Sequence, residues 1–537
     1  MQIHEAMITK TNSRRTHADG SISDYVTFKF PSSALKFVDI DQGDEAVKLK
    51  DAAHYRFVKA QEGGEAEPLI VTFGLLRPDR PAAELFPNLP FTTEAGEQLL
   101  SANSGIIHTM RILFRRGWVC YKQGVWQTAV PTTETSWRKK GQAVLNYLTT
   151  NNLLHLHTTR GDDLDFSQIP LDIEQDLVPV AGCGFLSDFN RRQQPTVAFN
   201  TLFFLLEPED IFSHHSALFE PFGFFMADGV IQRPPLYRRG TIWQHADGRW
   251  QTGLLGMADL RIILPNGWQL VYAKQKLSSQ DRPFSLNDEG PSPITLYTRY
   301  YGVAEQGHVL GQTPVAPGRF ELTVVDRRIV GWKMGGGLPL PQNGFVLSFA
   351  EDVFTAEAKQ TFLSTLTHQF RVTYQFAAEP YLTIQQGVQV GPMLLQDGRS
   401  PLTNSYLEAV EQFWPSRFMP DGRWQNGVVS TSYKTDVDQT RSGRVGIGLD
   451  AAGNVILVMA VGVNSGMDVP GVDSVGATLT ELAQLLQEAG AVTAVNLDGG
   501  GSTQAYFMGG RAITPGDRRG QPQTAYQRMI PSVGVVK

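Results

Sequence analysis

The segment from Ala491 to Gly510 places a single carboxylate, Asp498, at the end of an apolar run and directly before three glycines. A carboxylate at the end of a buried strand is costly unless it is paired or used in chemistry. Consecutive glycines let the backbone approach a ligand closely, and their N–H groups can form a nest for an anion. The segment therefore offers a catalytic carboxylate beside a candidate anion cradle formed by Gly499, Gly500, Gly501, Ser502 and Thr503.

The residues after the glycines limit the other interpretations of this segment. A tight turn after a core strand is the plain structural alternative. A Walker loop is excluded because no lysine comes after the glycines, and a Rossmann fingerprint fails because the glycine spacing and the required helix are missing. The alternation that resumes from Gln504 to Met508 predicts a strand, a tight glycine loop and a second strand.

The elements that must position this segment are the clearest in the chain. Gly443–Asp450 and Val455–Gly462 predict a hairpin, and its second strand is continuously apolar, which indicates burial on both faces. Thr478 and Glu481 form a capping box that begins a helix, and Gly490 ends it. Two strands, a helix and a third strand, with the helix on one face, predict an α+β fold of mixed, largely antiparallel sheets packed against a few helices.

The sequence changes in texture near residue 180. Arg160–Asp176 is acidic and poor in large apolar residues, which predicts a linker. We therefore predict a separate N-terminal α+β domain of unknown role over residues 1–180 and a second domain over residues 181–537, rich in short strands and glycines. Helices are predicted outside the C-terminal third over residues 92–116, 136–148 and 355–368.

The composition describes an ordinary globular chain. Its 537 residues suffice for roughly two to four domains, with 42% hydrophobic and 19% charged residues. The formal net charge of -6 argues against a general nucleic-acid or anionic-membrane binder. Two cysteines, Cys120 and Cys183, without a CxxC motif favour neither a disulfide framework nor a zinc site. We expect no cofactor and no metal.

The N-terminus has no apolar signal core, and no run of about 18 apolar residues occurs, so no membrane span is expected. The sequence predicts a soluble protein of the cytoplasm, or a secreted one if a leader has been removed. It gives no indication of the oligomeric state.

The segment NLDGGGST, residues Asn496–Thr503, resembles the signature of the phosphodiester glycosidase family. That is the family of the lysosomal uncovering enzyme, which removes N-acetylglucosamine from a mannose-6-phosphodiester. Further segments resemble family segments in the family's order over about residues 195–537: AFNTLFF (Ala198–Phe204), LYTRYYG (Leu296–Gly302), NGFVLSFA (Asn343–Ala350), VGPMLLQDG (Val390–Gly398) and RVGIGLD (Arg444–Asp450). Residues 1 to about 180 resemble no family in this way.

The resemblance implies a reaction that separates a sugar from a phosphate at the anomeric carbon. An oxocarbenium-like transition state needs a nearby carboxylate, which would be Asp498. The departing phosphate needs cationic and N–H donors, which Arg444 and the glycine loop with Ser502 and Thr503 could supply. Asn200 could hold a sugar hydroxyl. The structural alternatives are an Arg444–Asp498 ion pair and a bulge capped by Asn200.

Three functions remain open at this point. The first is a phosphodiester glycosidase acting on a sugar-phosphate or polysaccharide substrate, and bacterial homologues of the family are often labelled exopolysaccharide-related. The second is a non-catalytic carbohydrate- or phosphosugar-binding protein that keeps the fold. The third is a phosphodiesterase that cuts at phosphorus, but such enzymes usually gather His and Asp metal ligands, and the sequence shows no such cluster.

Overall fold

Two compact units are distinguished by their internal contacts. One comprises Met1–Gln42, Cys183–Thr365 and Phe370–Lys537, and the other comprises Gly43–Gly182 and Leu366–Gln369. The computed structural model describes residues 8–40, 52–59, 69–76, 109–110, 112–114, 116–123, 125–150, 154–157, 164–166, 179–180, 184–205, 216, 220–287, 292–353, 371–415, 417–418, 424–425, 427–428, 440–462, 473–513, 528 and 530–537.

A six-stranded antiparallel sheet carries the hairpin and the strand that leads to Asp498. Its strands, in spatial order, are β1 (Thr9–Thr16), β2 (Ile22–Phe30), β29 (Val455–Val461), β28 (Arg444–Asp450), β30 (Ala491–Leu497) and β25 (Met393–Leu395). Alternate residues of β28 and β30, such as Ile447 and Val495, point into one large core cluster, while Ala494 points into another. The central strands are therefore covered on both faces, as their apolar composition predicts.

A five-stranded antiparallel sheet shares that large core. It brings Asn200 to residues 498–504, which we call the Asp498 loop. Its strands, in spatial order, are β3 (Leu35–Asp39), β33 (Ser532–Val536), β11 (Val197–Asn200), β31 (Ala505–Phe507) and β32 (Gly510–Ile513). β31 comes directly after the glycine loop, so the loop connects the six-stranded sheet to this one.

The described residues of the larger unit form three further sheets. A second five-stranded sheet has the order β13 (Val230–Arg233), β12 (Phe225–Ala227), β24 (Ile384–Gln389), β14 (Arg239–His245) and β15 (Trp250–Leu255). An eight-stranded sheet has the order β21 (Arg328–Gly336), β20 (Val315–Val325), β22 (Gly344–Ala350), β19 (Ile294–Tyr297), β18 (Asp281–Leu286), β17 (Gln269–Tyr272), β16 (Leu260–Ile263) and β23 (Thr373–Phe376). A two-stranded sheet pairs β26 (Arg417–Phe418) with β27 (Trp424–Gln425).

Three α-helices of the larger unit are described: α2 (Leu186–Gln193), α3 (Val303–Gln306) and α4 (Leu479–Glu488). α4 begins at the capping box that the sequence predicts: the Thr478 hydroxyl accepts from the N–H of Glu481, and the Glu481 carboxylate accepts from the N–H of Thr478. Its leucines, including Leu482 and Leu486, pack against the face of the six-stranded sheet opposite the large core. The amphipathic stripe therefore fixes where α4 docks.

The smaller unit contains a four-stranded sheet, a three-stranded sheet and helix α1 (Thr135–Thr150). The first sheet has the order β10 (Pro179–Val180), β4 (Ala52–Lys59), β5 (Leu69–Leu76) and β8 (Leu154–His157), and the second β7 (Val125–Thr128), β6 (Val119–Lys122) and β9 (Leu164–Asp165). The aromatic rings of Phe114, Trp126 and Phe166 lie 5.1–6.1 Å apart between centroids and form part of its core.

The α+β prediction is confirmed. All strand pairs in these sheets are antiparallel except β17 with β18 and β18 with β19. The predicted hairpin and α4 are present, and the helix predicted over residues 136–148 is α1. The helix predicted over residues 355–368 and most of the one over residues 92–116 lie outside the described residues.

The predicted N-terminal domain of residues 1–180 needs a correction. β2 pairs with β29, and β3 pairs with β33, so the first strands complete sheets built from the far end of the chain. Contacts assign Met1–Gln42 to the larger unit and begin the smaller one at Gly43. The prediction was wrong for these strands because a strand's pairing partner cannot be read from its own sequence.

Candidate active site

Asp498 lies where β30 ends and the backbone turns toward the five-stranded sheet. Its N–H donates to the carbonyl oxygen of Thr201 over 2.8 Å, which joins the loop to the segment after β11. The residue is buried, with 8% of its surface exposed. The sequence prediction of a buried strand ending in a carboxylate therefore describes the backbone correctly.

Two of the three glycines, Gly499 and Gly500, serve a different purpose from the one predicted. The N–H of Gly500 donates to the carbonyl oxygen of Gly443 over 2.7 Å, and the N–H of Gly499 bonds the Asp498 carboxyl. A Cβ atom added to Gly499 would lie 2.6 Å from the Gly443 oxygen, closer than real Cβ contacts allow. At Gly499 and Gly500 the glycines are therefore used for close backbone packing and internal hydrogen bonds, which corrects their assignment as phosphate donors.

The backbone against which Gly499 and Gly500 pack also contains glycines, Gly443 and Gly462. A Cβ atom on Gly443 would lie 2.6 Å from the Gly500 oxygen and 2.8 Å from Thr503 Oγ1. On the far side, a Cβ atom on Gly462 would lie 2.2 Å from the Gly443 nitrogen. Backbone segments are thus stacked here without side chains between them, which fixes the loop rigidly.

Asn200 holds the loop rather than facing an open site. Its Nδ2 donates to the carbonyl oxygen of Asp498 over 2.7 Å, and its Oδ1 accepts from the N–H of Gln504 over 3.1 Å. The residue is 1% exposed and spans the loop from its first residue to its end. Its predicted role as a partner of a sugar hydroxyl is replaced by a positioning role, because both ends of its amide already bond the backbone.

Arg444 lies beside the loop, but its side chain does not pair with Asp498. The neighbouring residues Val445 and Leu497 are paired across β28 and β30, so the two backbones run side by side. The Arg444 guanidinium donates from Nε to the Ala477 carbonyl over 3.0 Å and from Nη2 to the Thr440 carbonyl over 2.8 Å. Within the described part of the chain, no ion pair joins Arg444 to Asp498.

Among the described residues, the cation that acts on Asp498 is Arg528, which the sequence reasoning missed. Arg528 Nη1 lies 3.4 Å from Ser502 Oγ, and the positive charge of Arg528 favours the ionised form of Asp498. The Gln504 side chain donates from Nε2 to the Arg528 carbonyl over 3.0 Å. The only sequence signal is an arginine shortly before the IPSVGVVK ending, and its position alone indicates no role in the site.

Burial raises the pKa of Asp498 to about 7, against the opposing effects of the Ser502 hydroxyl, the Arg528 charge and the Gly499 N–H. Desolvation disfavours the charged carboxylate, and three stabilising partners only partly offset it. A carboxyl group with this pKa exchanges its proton near neutral pH, which suits an acid, a base or a switchable electrostatic group.

Three buried polar atoms near the loop have no hydrogen-bond partner among the described residues: Asp498 Oδ2, Thr503 Oγ1 and Asn496 Oδ1. Asp498 and Thr503 belong to the loop itself, and Asn496 precedes it on β30. Leaving such an atom unpaired costs about 1–3 kcal/mol, so each of them marks a position where a polar ligand would be stabilised.

The structure thus brings some of the predicted site residues together, but not all of them. Asp498, Ser502, Thr503 and the glycines form one loop, and Asn200 supports it, while the Arg444 guanidinium is bound to backbone. Among the residues that the structure describes, no group of three or more His, Cys, Asp and Glu could hold a metal ion. No described helix is long and apolar enough to cross a membrane.

Residues 324–537 match the family model described as phosphodiester glycosidase. This part of the chain, which contains the whole Asp498 loop, Arg444 and Arg528, is therefore similar to the phosphodiester glycosidase family. The match confirms the resemblance that the sequence shows, over a shorter range than residues 195–537, and Asn200 lies outside it. No curated protein matches the chain.

Several solved structures are similar to the chain. A hypothetical protein from Synechocystis is 16% identical with a TM-score of 0.40, over 99% of this chain and 62% of that one. A putative exported protein from Burkholderia pseudomallei is 18% identical with a TM-score of 0.38, over 98% of this chain and 96% of that one. The catalytic domain of zebrafish N-acetylglucosamine-1-phosphodiester alpha-N-acetylglucosaminidase, auto-inhibited by its pro-peptide, is 10% identical with a TM-score of 0.35, over 100% and 85%. The chain spans about 62% of the length of the Synechocystis protein.

Proposed function

We propose that the larger unit is a hydrolase that releases a sugar from a sugar-1-phosphodiester, with Asp498 acting at the anomeric carbon. The observation that carries the proposal is the buried Asp498 carboxyl, whose Oδ2 has no partner among the described residues and whose pKa of about 7 lies near neutrality. The family match over residues 324–537 supports the reaction class.

The chemistry follows from the charge that develops during cleavage. As the bond from the anomeric carbon to the phosphate oxygen breaks, the sugar ring gains positive charge. An ionised Asp498 carboxylate beside that carbon stabilises the charge, or attacks the carbon to form a covalent intermediate. A phosphate is already a good leaving group, so a strong general acid is dispensable. Activity should therefore rise with pH through about 7, as Asp498 loses its proton.

The neighbouring hydroxyls contribute polar contacts to the same ligand. Ser502 Oγ faces the carboxyl and Arg528, and Thr503 Oγ1 is buried without a partner in the described structure. Thr503 Oγ1 can donate to a sugar hydroxyl or a phosphate oxygen, while Ser502 Oγ donates to the ionised Asp498 carboxyl and can accept from a sugar hydroxyl. The rigid glycine packing behind the loop keeps these groups in place without reorganisation, which is the condition for electrostatic catalysis.

The test is incubation of the full chain with a panel of sugar-1-phosphodiesters, measuring free reducing sugar beside thermal melting. Asp498→Asn should lower turnover at least about a hundredfold, roughly 3 kcal/mol in the barrier, while the protein stays folded. Asp397→Asn, on an exposed Asp-Gly turn, is the matched control and should keep full activity.

Each other outcome of this test has a definite meaning. A wild-type chain that binds these compounds without turnover would support the second function, a phosphosugar-binding protein. An Asp498→Asn variant with near-normal turnover would exclude Asp498 as the catalytic carboxylate.

A further inference from the structure

We propose that Arg528, rather than Arg444, recognises the anionic group of the substrate, and that Gln504 is the positioning residue that holds Arg528 against the Asp498 loop. This inference rests on the proposed function, since it assigns the phosphate-binding charge of that same site. It moves the phosphate-binding role, which the sequence alone suggests for Arg444, to Arg528.

The bonds of Arg444 indicate a structural role. Two of its guanidinium nitrogens donate to backbone carbonyls, those of Ala477 and Thr440, at 3.0 and 2.8 Å. These carbonyls belong to the chain segments that flank β28 and α4, so Arg444 ties the two elements together. These bonds use two of the five N–H donors of Arg444 and hold its guanidinium against backbone.

Arg528 presents its charge to the site itself. Its Nη1 is 3.4 Å from Ser502 Oγ, within the loop that carries Asp498. Its charge opposes the rise in the pKa of Asp498, which requires proximity because charge effects fall with distance. A phosphate bound by the Arg528 guanidinium would therefore lie close to Ser502 and to the Asp498 carboxyl.

Gln504 links Asp498 to Arg528 through a chain of hydrogen bonds made by side-chain and backbone amide groups. Its N–H is held by Asn200 Oδ1 at 3.1 Å, while Asn200 Nδ2 holds the Asp498 carbonyl at 2.7 Å. Its own Nε2 donates to the Arg528 carbonyl at 3.0 Å, and the residue is 1% exposed. Asn200 and Gln504 thus set the positions of Asp498 and Arg528 relative to each other.

This arrangement has a kinetic consequence. The phosphate carries one negative charge as a diester and gains a second as it leaves, so a cation beside it stabilises the transition state more than the ground state. Loss of the charge should lower kcat/KM by about 100-fold or more, in the range seen when one preorganised donor is removed. It should also shift the pH profile to higher pH, because Arg528 favours the ionised form of Asp498.

The experiment measures two quantities on the full chain: the affinity for inorganic phosphate by calorimetry, and kcat/KM with its pH profile for a sugar-1-phosphodiester. Arg528→Gln should weaken phosphate binding at least about 10-fold and shift the pH profile upward, and Arg528→Lys should restore part of both. Gln504→Leu should reproduce part of the loss, since it removes the donor to Arg528. Arg511→Gln, at an exposed position of β32, removes the same charge and should change neither quantity.

The comparison with Arg444→Lys decides between the two arginines. This variant should melt earlier, because it loses a backbone hydrogen bond, but bind phosphate normally when folded. Unchanged phosphate affinity in Arg528→Gln, or a larger loss in Arg444→Lys at an unchanged melting temperature, would overturn the inference, as would a wild-type chain that does not bind phosphate. Absence of turnover with phosphate binding lost in Arg528→Gln would instead count against the proposed hydrolysis while upholding Arg528.

Discussion

The amide of Asn200 donates to the carbonyl oxygen of Asp498 over 2.7 Å. This bond joins the end of β11, in a five-stranded sheet, to the end of β30, in the six-stranded sheet. The candidate catalytic carboxylate is therefore positioned where two sheets meet, and its geometry depends on both.

Asn200→Asp should destabilise the protein and lower its activity, because an acceptor oxygen would face the Asp498 carbonyl where Nδ2 now donates. The loss of one buried hydrogen bond and the clash of two acceptors should cost about 2–4 kcal/mol of unfolding free energy. Denaturant unfolding measures it, with Asn12→Asp on the exposed strand β1 as the control. Equal stability of the two variants would show that the amide does not hold the loop.

Asp498→Asn should change the pH dependence of stability. The folded-state pKa of Asp498 is about 7, above the value of roughly 3.9 in an unfolded chain, so its contribution to stability is full below pH ~4 and is lost as pH rises through about 7. Asparagine does not titrate, so the unfolding free energy of the variant does not fall with pH at this position. Its unfolding free energy relative to wild type should therefore increase with pH over this window, by about 3–4 kcal/mol at most.

Chemical denaturation of both proteins at several pH values between about 4 and 8 checks this, because the difference between them removes the contribution of all other titrating groups. A difference that stays constant across the window would mean that Asp498 titrates at its ordinary pKa.

Gly443→Ala should displace the Asp498 loop, since the new Cβ would lie 2.6 Å from the Gly500 oxygen. The neighbouring atom is backbone, so relief requires movement of the loop itself. We expect a loss of about 1–3 kcal/mol in stability, typical of overpacking, and a disproportionate loss of activity. Gly510→Ala is the matched control, because its Cβ would meet nothing closer than 3.6 Å. Similar melting temperatures and rates for both variants would contradict the tight packing.

Deletion of residues 1–40 should prevent the larger unit from folding, although the sequence alone places them in another domain. It removes β2 and β3, which pair with β29 and β33, and it exposes both of those edges. Deletion through Thr16 removes only the exposed edge strand β1 and should leave a folded protein. Circular dichroism and solubility measure the outcome, and a soluble, cooperatively melting 41–537 fragment would show that these strands are dispensable.

Elements with a strong local pattern could be predicted from the sequence. The hairpin of β28 and β29 and the capped helix α4 are specified by turn residues, continuous apolar character and the Thr478–Glu481 box, each a pattern contained within a few residues. The pairing of β2 with β29 could not be predicted, because many apolar strands of similar length compete as partners and local sequence does not choose among them.

The candidate site shows the same division. Asp498 could be found because a carboxylate between an apolar strand and a glycine run is unusual. The exchange of roles that we propose for Arg444 and Arg528 could not be predicted, because both are single arginines. Only the structure shows that the Arg444 guanidinium binds carbonyls while Arg528 lies beside Ser502. The glycines were located correctly but explained wrongly at Gly499 and Gly500, since glycine permits close approach to backbone as readily as to a ligand.

The sheet pairings of β2 and β3 have a consequence for synthesis on the ribosome. β3 ends at Asp39, whereas its partner β33 begins at Ser532, about 500 residues later. Synthesis proceeds at roughly 5–20 residues per second, so the partners that cover the edges of these strands are made about 25–100 s later. During that time the nascent chain carries unpaired apolar strands, which invite misassociation and make it a client for chaperones. The loop that holds Asp498 can reach its final geometry only after this long closure is complete.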